Sequence, residues 1–568
     1  MEISELYRQW SENPYFDEAT RRELFRIQGD SAEIRERFYT QLAFGTAGIR
    51  GILGAGTNRM NRYVVRRVSY GIAQLLKGKG AAACRQGVVI AYDSRHMSKE
   101  FAREAAAVYA GNGIKVYLHR EICPVPILSF SVRHLGTAAG VMVTASHNPK
   151  EYNGYKAYGS DGAQLSPEDS KTVLDIIQGY QDYTALPVYD FNKGLADGFI
   201  EMVGADIYEA YFEAIKKLIA DRDTLQKTAG TFKLVYTPVH GAGARFVPKL
   251  LKELGFEQLE CVEAQMVHDG SFPTVPVPNP EDKGVYRLAI EIAEQKKANL
   301  ILASDPDADR TGVAVRDRNG DYVLLTGNQI GVLLLYYILV GKERSGSLKG
   351  NEFVVSTIVS TRMTKDICKK YKIAYQDVLT GFKFIGEQIT QREEQGNEKF
   401  LFAFEESFGY LLGSYARDKD AVSACMMVAE TAAYYASRGM SLLDALDEIY
   451  RGFGYWAESQ KAFSFQGEAG AEKMKVLMSR FRTEKEALLS GETVLRFTDY
   501  MQGPAVTGLP VSDVLYYEMQ DSWLCIRPSG TEPKIKLYFG ARGVSGELAE
   551  QKMNELRNKM IEMIEGQP

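Results

Sequence analysis

Gly140-Val-Met-Val-Thr144 is a short apolar run that stops on a polar turn, Ala145-Ser-His-Asn-Pro149. Asn148 and Pro149 end the run and fix the turn. Several other stretches share one layout, an apolar run, then a polar turn, then a helical pattern. Gly87 to Asp93 (GVVIAYD) leads to Ser98, which suits the N-cap of an Ala-rich helix ending near Gly111. Phe232 to Tyr236 (FKLVY) runs into Thr237-Pro-Val-His-Gly-Ala-Gly243, and Leu300 to Ala303 (LILA) runs into Ser304-Asp305-Pro306. Phe353 to Thr357 (FVVST) continues the series. Short β-rich runs alternating with helical stretches of roughly 10–15 residues predict parallel α/β domains. Ligands of such sheets lie outside the carboxyl ends of the strands, so the polar turns are where chemistry is expected.

The last hundred residues read differently. A charged helical stretch from Glu472 to Leu489 precedes β-type runs around Val494–Phe497, Val514–Glu518 and Trp523–Ile526, and a helix from Ser545 to Ile564 follows them. This predicts a smaller α+β domain. With 568 residues the chain is too long for one core. The predicted domains are residues 1–204, 205–324, 325–450 and 451–568.

A net charge of −5 gives no general pull toward nucleic acid or an anionic membrane, so a bound anion needs a local basic cluster. The N-terminal residues show no hydrophobic run, so no signal peptide is expected. Gly331 to Val340 is ten residues long where a membrane span needs about 20, which predicts a buried helix. Six scattered cysteines without a CxxC pair argue against a disulfide framework or zinc knuckle and fit a reducing cytoplasm. No exposed apolar stripe is evident, and a monomer is expected.

Four motifs carry candidate chemistry. In Thr144-Ala-Ser-His-Asn-Pro149, Ser146 stands at a strand's carboxyl end, where a hydroxyl that accepts phosphate splits one transfer into two. A turn serine bonding its own backbone is the plainer reading. In Asp305-Pro-Asp-Ala-Asp309-Arg310, an extended segment would project Asp305, Asp307 and Asp309 to one side, a set of oxygens suited to Mg²⁺. An EF-hand is excluded, because Arg310 and Arg316 stand where it needs Gly and Glu; an acidic surface turn is the alternative. Phe404-Glu-Glu-Ser-Phe-Gly-Tyr410 offers carboxylates for sugar hydroxyls, and the nearby Arg417 and Lys419 offer charge for a phosphate. Arg527-Pro-Ser-Gly-Thr-Glu-Pro-Lys-Ile-Lys536 sets Ser529, Gly530 and Thr531 in a tight anion-binding turn flanked by Arg527 and Lys536, or else is a plain basic hairpin.

One task fits all four: holding a phosphosugar and moving phosphate to or from it with a metal's help. From Gly45-Thr-Ala-Gly-Ile-Arg50 to Lys536 the motifs resemble the α-D-phosphohexomutase superfamily, and most nearly its phosphoglucomutase-2 and phosphopentomutase branch. The resemblance implies four domains around a central cleft, three related α/β domains with mixed sheets and a smaller C-terminal α+β phosphate-binding domain. It implies a phosphoserine at Ser146 with His147 beside it, and Mg²⁺ held by the three Asp and the phosphoserine. Lys156 matches a general acid/base, a role needing a pKa lowered by neighbouring cations. Arg50 and Arg310 match active-site arginines, and Thr380-Gly381-Phe-Lys383 a loop contacting the sugar. Glu405 and Ser407 match hydroxyl-binding residues, and Lys419 a phosphate contact. The implied reaction interconverts glucose 1-phosphate and glucose 6-phosphate through glucose 1,6-bisphosphate, which also serves as activator. Phe404, Pro306 and Ala308 stand where many relatives have Gly, so pentose or mannose phosphates and a bisphosphate-synthase activity are the rival expectations, with a silent scaffold outside the enzyme class.

Overall fold

The computed structural model describes the chain except residues 1, 46–47, 181, 466, 485–492, 530–533 and 567–568, and gives only the backbone of 467–469 and 471. The chain divides into two compact units. One comprises Met1–Ile330 with Phe382–Ser441, the other Gly331–Gly381 with Leu442–Pro568.

The first unit holds two mixed sheets. Strands β1 (Ile49–Ile52), β2 (Val88–Tyr92), β3 (Val116–His119), β4 (Ala139–Val143), β5 (Tyr152–Gly159) and β6 (Ile200–Val203) lie in the order β1-β5-β4-β2-β3-β6. Every residue of β2 and β4 is buried, as a parallel strand covered on both faces requires. Helices Ser98–Gly111 and Val125–Leu135 pack on them. The second sheet orders β7 (Leu234–Thr237), β8 (Leu259–Cys261), β9 (Leu300–Ser304), β10 (Thr311–Arg316) and β11 (Tyr322–Leu324) as β11-β10-β9-β7-β8.

The expected parallel pairing holds for β2 with β3 and β4, and for β7 with β8 and β9. It fails where the chemistry lies. β5 runs antiparallel to β4, and β10 antiparallel to β9. The reason is chain length: the serine turn and the Asp turn are too short for a crossover, which needs a dozen or more residues, so each closes a hairpin instead of leading into a helix. A third hairpin joins Lys399–Glu405 to Gly409–Leu412.

Ser98 is the first residue of its helix, not the cap. Met97 caps it in a left-handed conformation (φ 68°), and the Ser98 hydroxyl donates to Asp93 Oδ1 at 2.6 Å. The apolar stretch at 331–340 lies in the helix Gly327–Arg344 and is largely buried, as expected. No described helix is long and apolar enough to cross a membrane, and all six cysteines are free thiols.

In the second unit, Glu352–Thr357 and Ala374–Val378 pair in parallel around the helix Met363–Tyr371. A five-stranded antiparallel sheet follows, ordered Tyr455–Ser464, Lys534–Gly543, Ser522–Pro528, Leu515–Glu518, Arg496–Asp499, with helix Gly546–Glu565 packed on it. The charged helix runs Gly467–Thr483, earlier than expected, and the rest of the predicted stretch lies largely outside the described residues. The two longest strands, Tyr455–Ser464 and Lys534–Gly543, escape the sequence reading. Their outer positions carry Glu458, Gln460, Lys461, Lys534 and Lys536, so neither forms a continuous apolar run.

Candidate functional site

The serine turn leaves β4 with Ser146 in the left-handed region (φ 52°), a conformation that costs an L-residue roughly 1–2 kcal/mol. Thr144 Oγ1 accepts from the Ser146 N–H at 2.8 Å and donates to Asp93 Oδ2 at 2.6 Å. The Ser146 hydroxyl is buried and stands 3.1 Å from Asp305 Oδ2 and 3.2 Å from His147 Nδ1.

The three aspartates converge, though not through the extended segment expected. Residues 305–309 form a tight turn in which Ala308 is left-handed (φ 51°) and its N–H donates to Asp305 O. Asp305 Oδ1 accepts from the N–H groups of Asp309 and Arg310, both at 3.0 Å, so its carboxylate holds its own turn closed. The three carboxylates offer oxygens within 4.8 Å of one another, all buried. Among the described residues, Asp307 Oδ1 and Asp309 Oδ1 are buried without a hydrogen-bond partner. Buried carboxylate oxygens left unbonded at such spacing fit a hard, oxygen-seeking metal ion.

Two ammonium groups share that charge. Lys156 on β5 lies 2.8 Å from Asp307 Oδ2 and 3.1 Å from Asp309 Oδ2, and Lys419 lies 2.9 Å from Asp309 Oδ2. Burial and the neighbouring carboxylates Asp307 and Asp309 raise the Asp305 pKa well above the usual range. Burial would raise Asp309 too, but Lys156, Lys419 and Arg310 outweigh it and hold that carboxyl far below the usual range. The expected lowering of Lys156 is not found. Burial does depress it, but Asp307 and Asp309 dominate and raise its pKa, keeping it an ammonium; the nearest groups are carboxylates, not cations.

Arg50 projects from β1 and donates from Nη1 to Asn148 Oδ1 at 2.6 Å, open to solvent at the serine turn. The backbone there requires glycine at Gly48, whose φ is 89° and whose Cβ would lie 1.9 Å from the carbonyl oxygen of Tyr155. Burial, then Arg310 and Arg50, push the His147 pKa down to about 2, so its ring is neutral. Arg310 donates from Nη1 to Glu281 at 2.9 Å and pairs by its backbone with Gly409 of the third hairpin. Glu405 ends that hairpin's first strand, buried; burial raises its pKa, opposed by Lys419 and Arg310. Ser407 lies in the hairpin turn. A Cβ at Gly409 would meet Lys419 Cδ at 2.4 Å and Glu405 Oε1 at 3.2 Å, so this glycine lets the two side chains approach.

Two further candidates of the first unit, Arg417 and Lys383, make other contacts. Arg417 spends its guanidinium on Glu393 (2.5 Å), Thr390 and the carbonyls of Ser414 and Ala416. Lys383 lines a cavity of about 290 Å³ with Asp161, Gln164 and Thr390, and its ammonium stands 4.5 Å over the ring of Phe384. In the second unit, Thr380 and Gly381 (φ 120°) follow the strand Ala374–Val378. Arg527 and Lys536 face each other across paired strands, and the Ser529 N–H donates to Lys534 O. Gly530 and Thr531 lie outside the described residues.

Sequence reasoning missed Asp93, Arg95 and Asp418. Asp418 accepts from Tyr158 and Gln164 and pairs with Lys419 at 3.3 Å. Asp93 and Arg95 sit just past the carboxyl end of a wholly apolar strand, the place where the other turns were sought, and that position was the available signal.

Four consecutive family models match the chain: phosphoglucomutase/phosphomannomutase α/β/α domain I at residues 41–184, domain II at 209–320, domain III at 326–453 and the C-terminal domain at 477–558. The phosphoglucomutase of Staphylococcus haemolyticus is 38% identical over 511 residues, covering 88% of this chain and 90% of that protein. The phosphoglucomutase of Staphylococcus aureus (strain USA300) is 36% identical over 545 residues, 94% and 95% of the two chains. The crystal structure of the exocytosis-sensitive phosphoprotein parafusin (phosphoglucomutase) from Paramecium superposes with a TM-score of 0.70 over 93% of this chain and 97% of that one, at 18% identity, which speaks to the fold alone. With all four domain models matched in order over most of its length, the chain belongs to the phosphoglucomutase/phosphomannomutase family of four-domain α/β enzymes.

Proposed function

We propose that the chain interconverts α-D-glucose 1-phosphate and D-glucose 6-phosphate through a phosphoserine at Ser146, with glucose 1,6-bisphosphate as intermediate and activator. The observation that carries this reading is the buried Ser146 hydroxyl set 3.1 Å from a three-carboxylate cluster with unbonded oxygens. The likeness to the Staphylococcus phosphoglucomutases supports glucose as the sugar.

Asp305, Asp307, Asp309 and the Ser146 oxygen would hold Mg²⁺, which draws charge from the phosphoryl oxygens when bound. Catalysis of phosphoryl transfer is otherwise alignment and charge cancellation. Arg50 and Arg310 supply fixed positive charge beside Ser146. When the Ser146 hydroxyl attacks a phosphoryl group of the bisphosphate, its proton passes to Asp305 Oδ2, 3.1 Å away and with a raised pKa, while the neutral His147 ring flanks the hydroxyl at 3.2 Å. The bond from phosphorus to the sugar oxygen breaks, and the Lys156 ammonium protonates that oxygen. Transfer from phosphoserine to the other sugar hydroxyl runs the same steps backward: Lys156 takes the hydroxyl proton and Asp305 returns one to Ser146. Glu405, Ser407 and Lys419 would hold the sugar, with Arg310 and the Thr380, Gly381 and Lys383 segment; Arg527, Ser529, Gly530, Thr531 and Lys536 would grip the second phosphate. Arg417, whose donors are occupied, acts here by bracing the Lys419 loop. The working division is 1–204 for the serine turn, 205–324 for the metal turn, 325–450 for the sugar loop and 451–568 for the phosphate grip. We read the enzyme as a cytoplasmic monomer, a setting that six free thiols suit.

Initial rates with Mg²⁺ and a trace of glucose 1,6-bisphosphate, compared across glucose, mannose and ribose 1-phosphates, test the proposal. The expected order puts glucose 1-phosphate first by at least about tenfold. Faster turnover of ribose 1-phosphate would reassign the substrate, and no turnover of any of them would overturn the mutase reading.

A further inference from the structure

The carbonyls of the serine turn point inward, where the side chain of Arg95 meets them. Arg95 Nη1 donates to Pro149 O at 2.9 Å and Tyr152 O at 3.1 Å; Nη2 donates to Ser146 O at 2.6 Å and also to Asn148 O. The guanidinium is fully buried, lies 3.5 Å from Asp93 Oδ2 through Nε, and rests over the ring of Phe272 at 5.0 Å. Asp93 is fixed in turn: its Oδ1 accepts from the Arg95 N–H and the Ser98 hydroxyl, its Oδ2 from Thr144. With the carbonyls drawn to one side, the Ser146 hydroxyl is left on the other, facing Asp305.

The geometry points to Arg95 as a positioning residue for the phosphoryl transfer: its planar fork, anchored by Asp93, holds Ser146 in the left-handed conformation that aims its hydroxyl at the aspartate cluster. This rests on the reading of Ser146 as the phosphate acceptor. A lysine cannot replace the fork, since a single ammonium has three donors in a tetrahedral spread and no plane to lay along four carbonyls. Asn148 also accepts from Arg50, so the same turn sets the position of a second cation of the site.

The decisive test follows transfer of labelled phosphate from glucose 1,6-bisphosphate onto Ser146 in the full chain, counted per folded molecule. For Arg95→Lys the rate of labelling is expected to fall about 100-fold or more while KM for glucose 1-phosphate moves less than about threefold. In Arg95→Gly, added guanidinium ion is expected to restore part of the rate, which a merely structural role would not produce. Where Arg95→Lys does not fold, Asp93→Asn decides in its place, with a fall of about tenfold expected. Labelling of folded Arg95→Lys at the wild-type rate overturns the proposal while the Ser146 reading stands, as does wild-type labelling of Asp93→Asn. A wild-type chain that takes no label at Ser146 overturns both.

Discussion

The serine turn and the aspartate turn solve one geometric problem in opposite ways. Each follows a buried strand, each closes a hairpin, and each places a non-glycine residue in the left-handed region, Ser146 at φ 52° and Ala308 at φ 51°. The aspartate turn is held from within, by Asp305 accepting two N–H groups four and five residues ahead. The serine turn is held from outside, by an arginine 51 residues earlier in the chain. Distant N–H groups of Val125, Ala242 and Ala421 also reach the aspartate turn, and Thr144 gives the serine turn a local bond, but the side chain that closes each turn is local in one and distant in the other. A turn held by a distant side chain exists only once the sheet has formed, and its geometry can be altered without touching the turn.

The largest effect should come from the residue that is strained for a purpose. Ser146→Ala removes the acceptor oxygen and is expected to lower kcat by about four orders of magnitude or more, with no phosphate found on the chain. Ser146→Gly should be as inactive yet melt higher than Ser146→Ala, because glycine adopts φ 52° without the Cβ clash. Activity assays and melting curves on both variants check this. A Ser146→Gly that melts no higher than Ser146→Ala would mean that the turn stores no strain, and the parallel with Ala308 would lose its force.

What could be read in the sequence divides along the same line. The strands β2, β4, β7 and β9 are legible because each is a continuous apolar run, and the three aspartates because five consecutive residues contain them. Ser146 stands out as a serine at a strand's end. Lys156 enters only through the family resemblance, since nothing local ties a lysine on β5 to an aspartate 151 residues later; Lys419 is legible beside the third motif as charge for a phosphate, but not as a partner of Asp309. The direction of the Lys156 shift is not legible for that reason: sequence shows charges but not which of them become neighbours. Arg95 stayed invisible because an Asp-Ser-Arg after a strand reads as solvated polar residues until the fold buries it.

A second, smaller effect separates the metal-holding and turn-holding roles of one side chain. Asp305→Asn keeps an oxygen at Oδ1 to accept from Asp309 and Arg310, so the turn should persist. Burial and the charges of Asp307 and Asp309 already disfavour the ionised Asp305, so without metal the variant is expected to be as stable as wild type or up to about 1 kcal/mol more stable. What it should lose is the rise in melting temperature on adding Mg²⁺. Differential scanning fluorimetry with EDTA and then millimolar Mg²⁺ reads both. A large loss of stability in EDTA would show that the charge of Asp305, and not its acceptor geometry, holds the turn.

The last effect is a control on acid sensitivity that belongs to neither turn. His147, at the serine turn, is kept neutral by burial and by Arg310 and Arg50, whereas His119, at the end of β3, is pushed down to about 3 by burial alone, between Tyr208 at 3.2 Å and Ser131 at 3.1 Å. In the unfolded chain His119 takes a proton near pH 6.5, and the folded chain refuses it until about pH 3. The unfolded state therefore binds the extra proton between those values: stability is full above about pH 6.5 and falls as the pH drops, by about 2 kcal/mol at pH 5. Urea unfolding at pH 7.5 and pH 5 should show His119→Gln losing about that much less over the interval than wild type, whatever its stability at pH 7.5. If the two chains lose the same amount, the acid weakness of the first unit lies elsewhere, and the turns themselves, with their buried carboxylates and their strained serine, become the place to look for it.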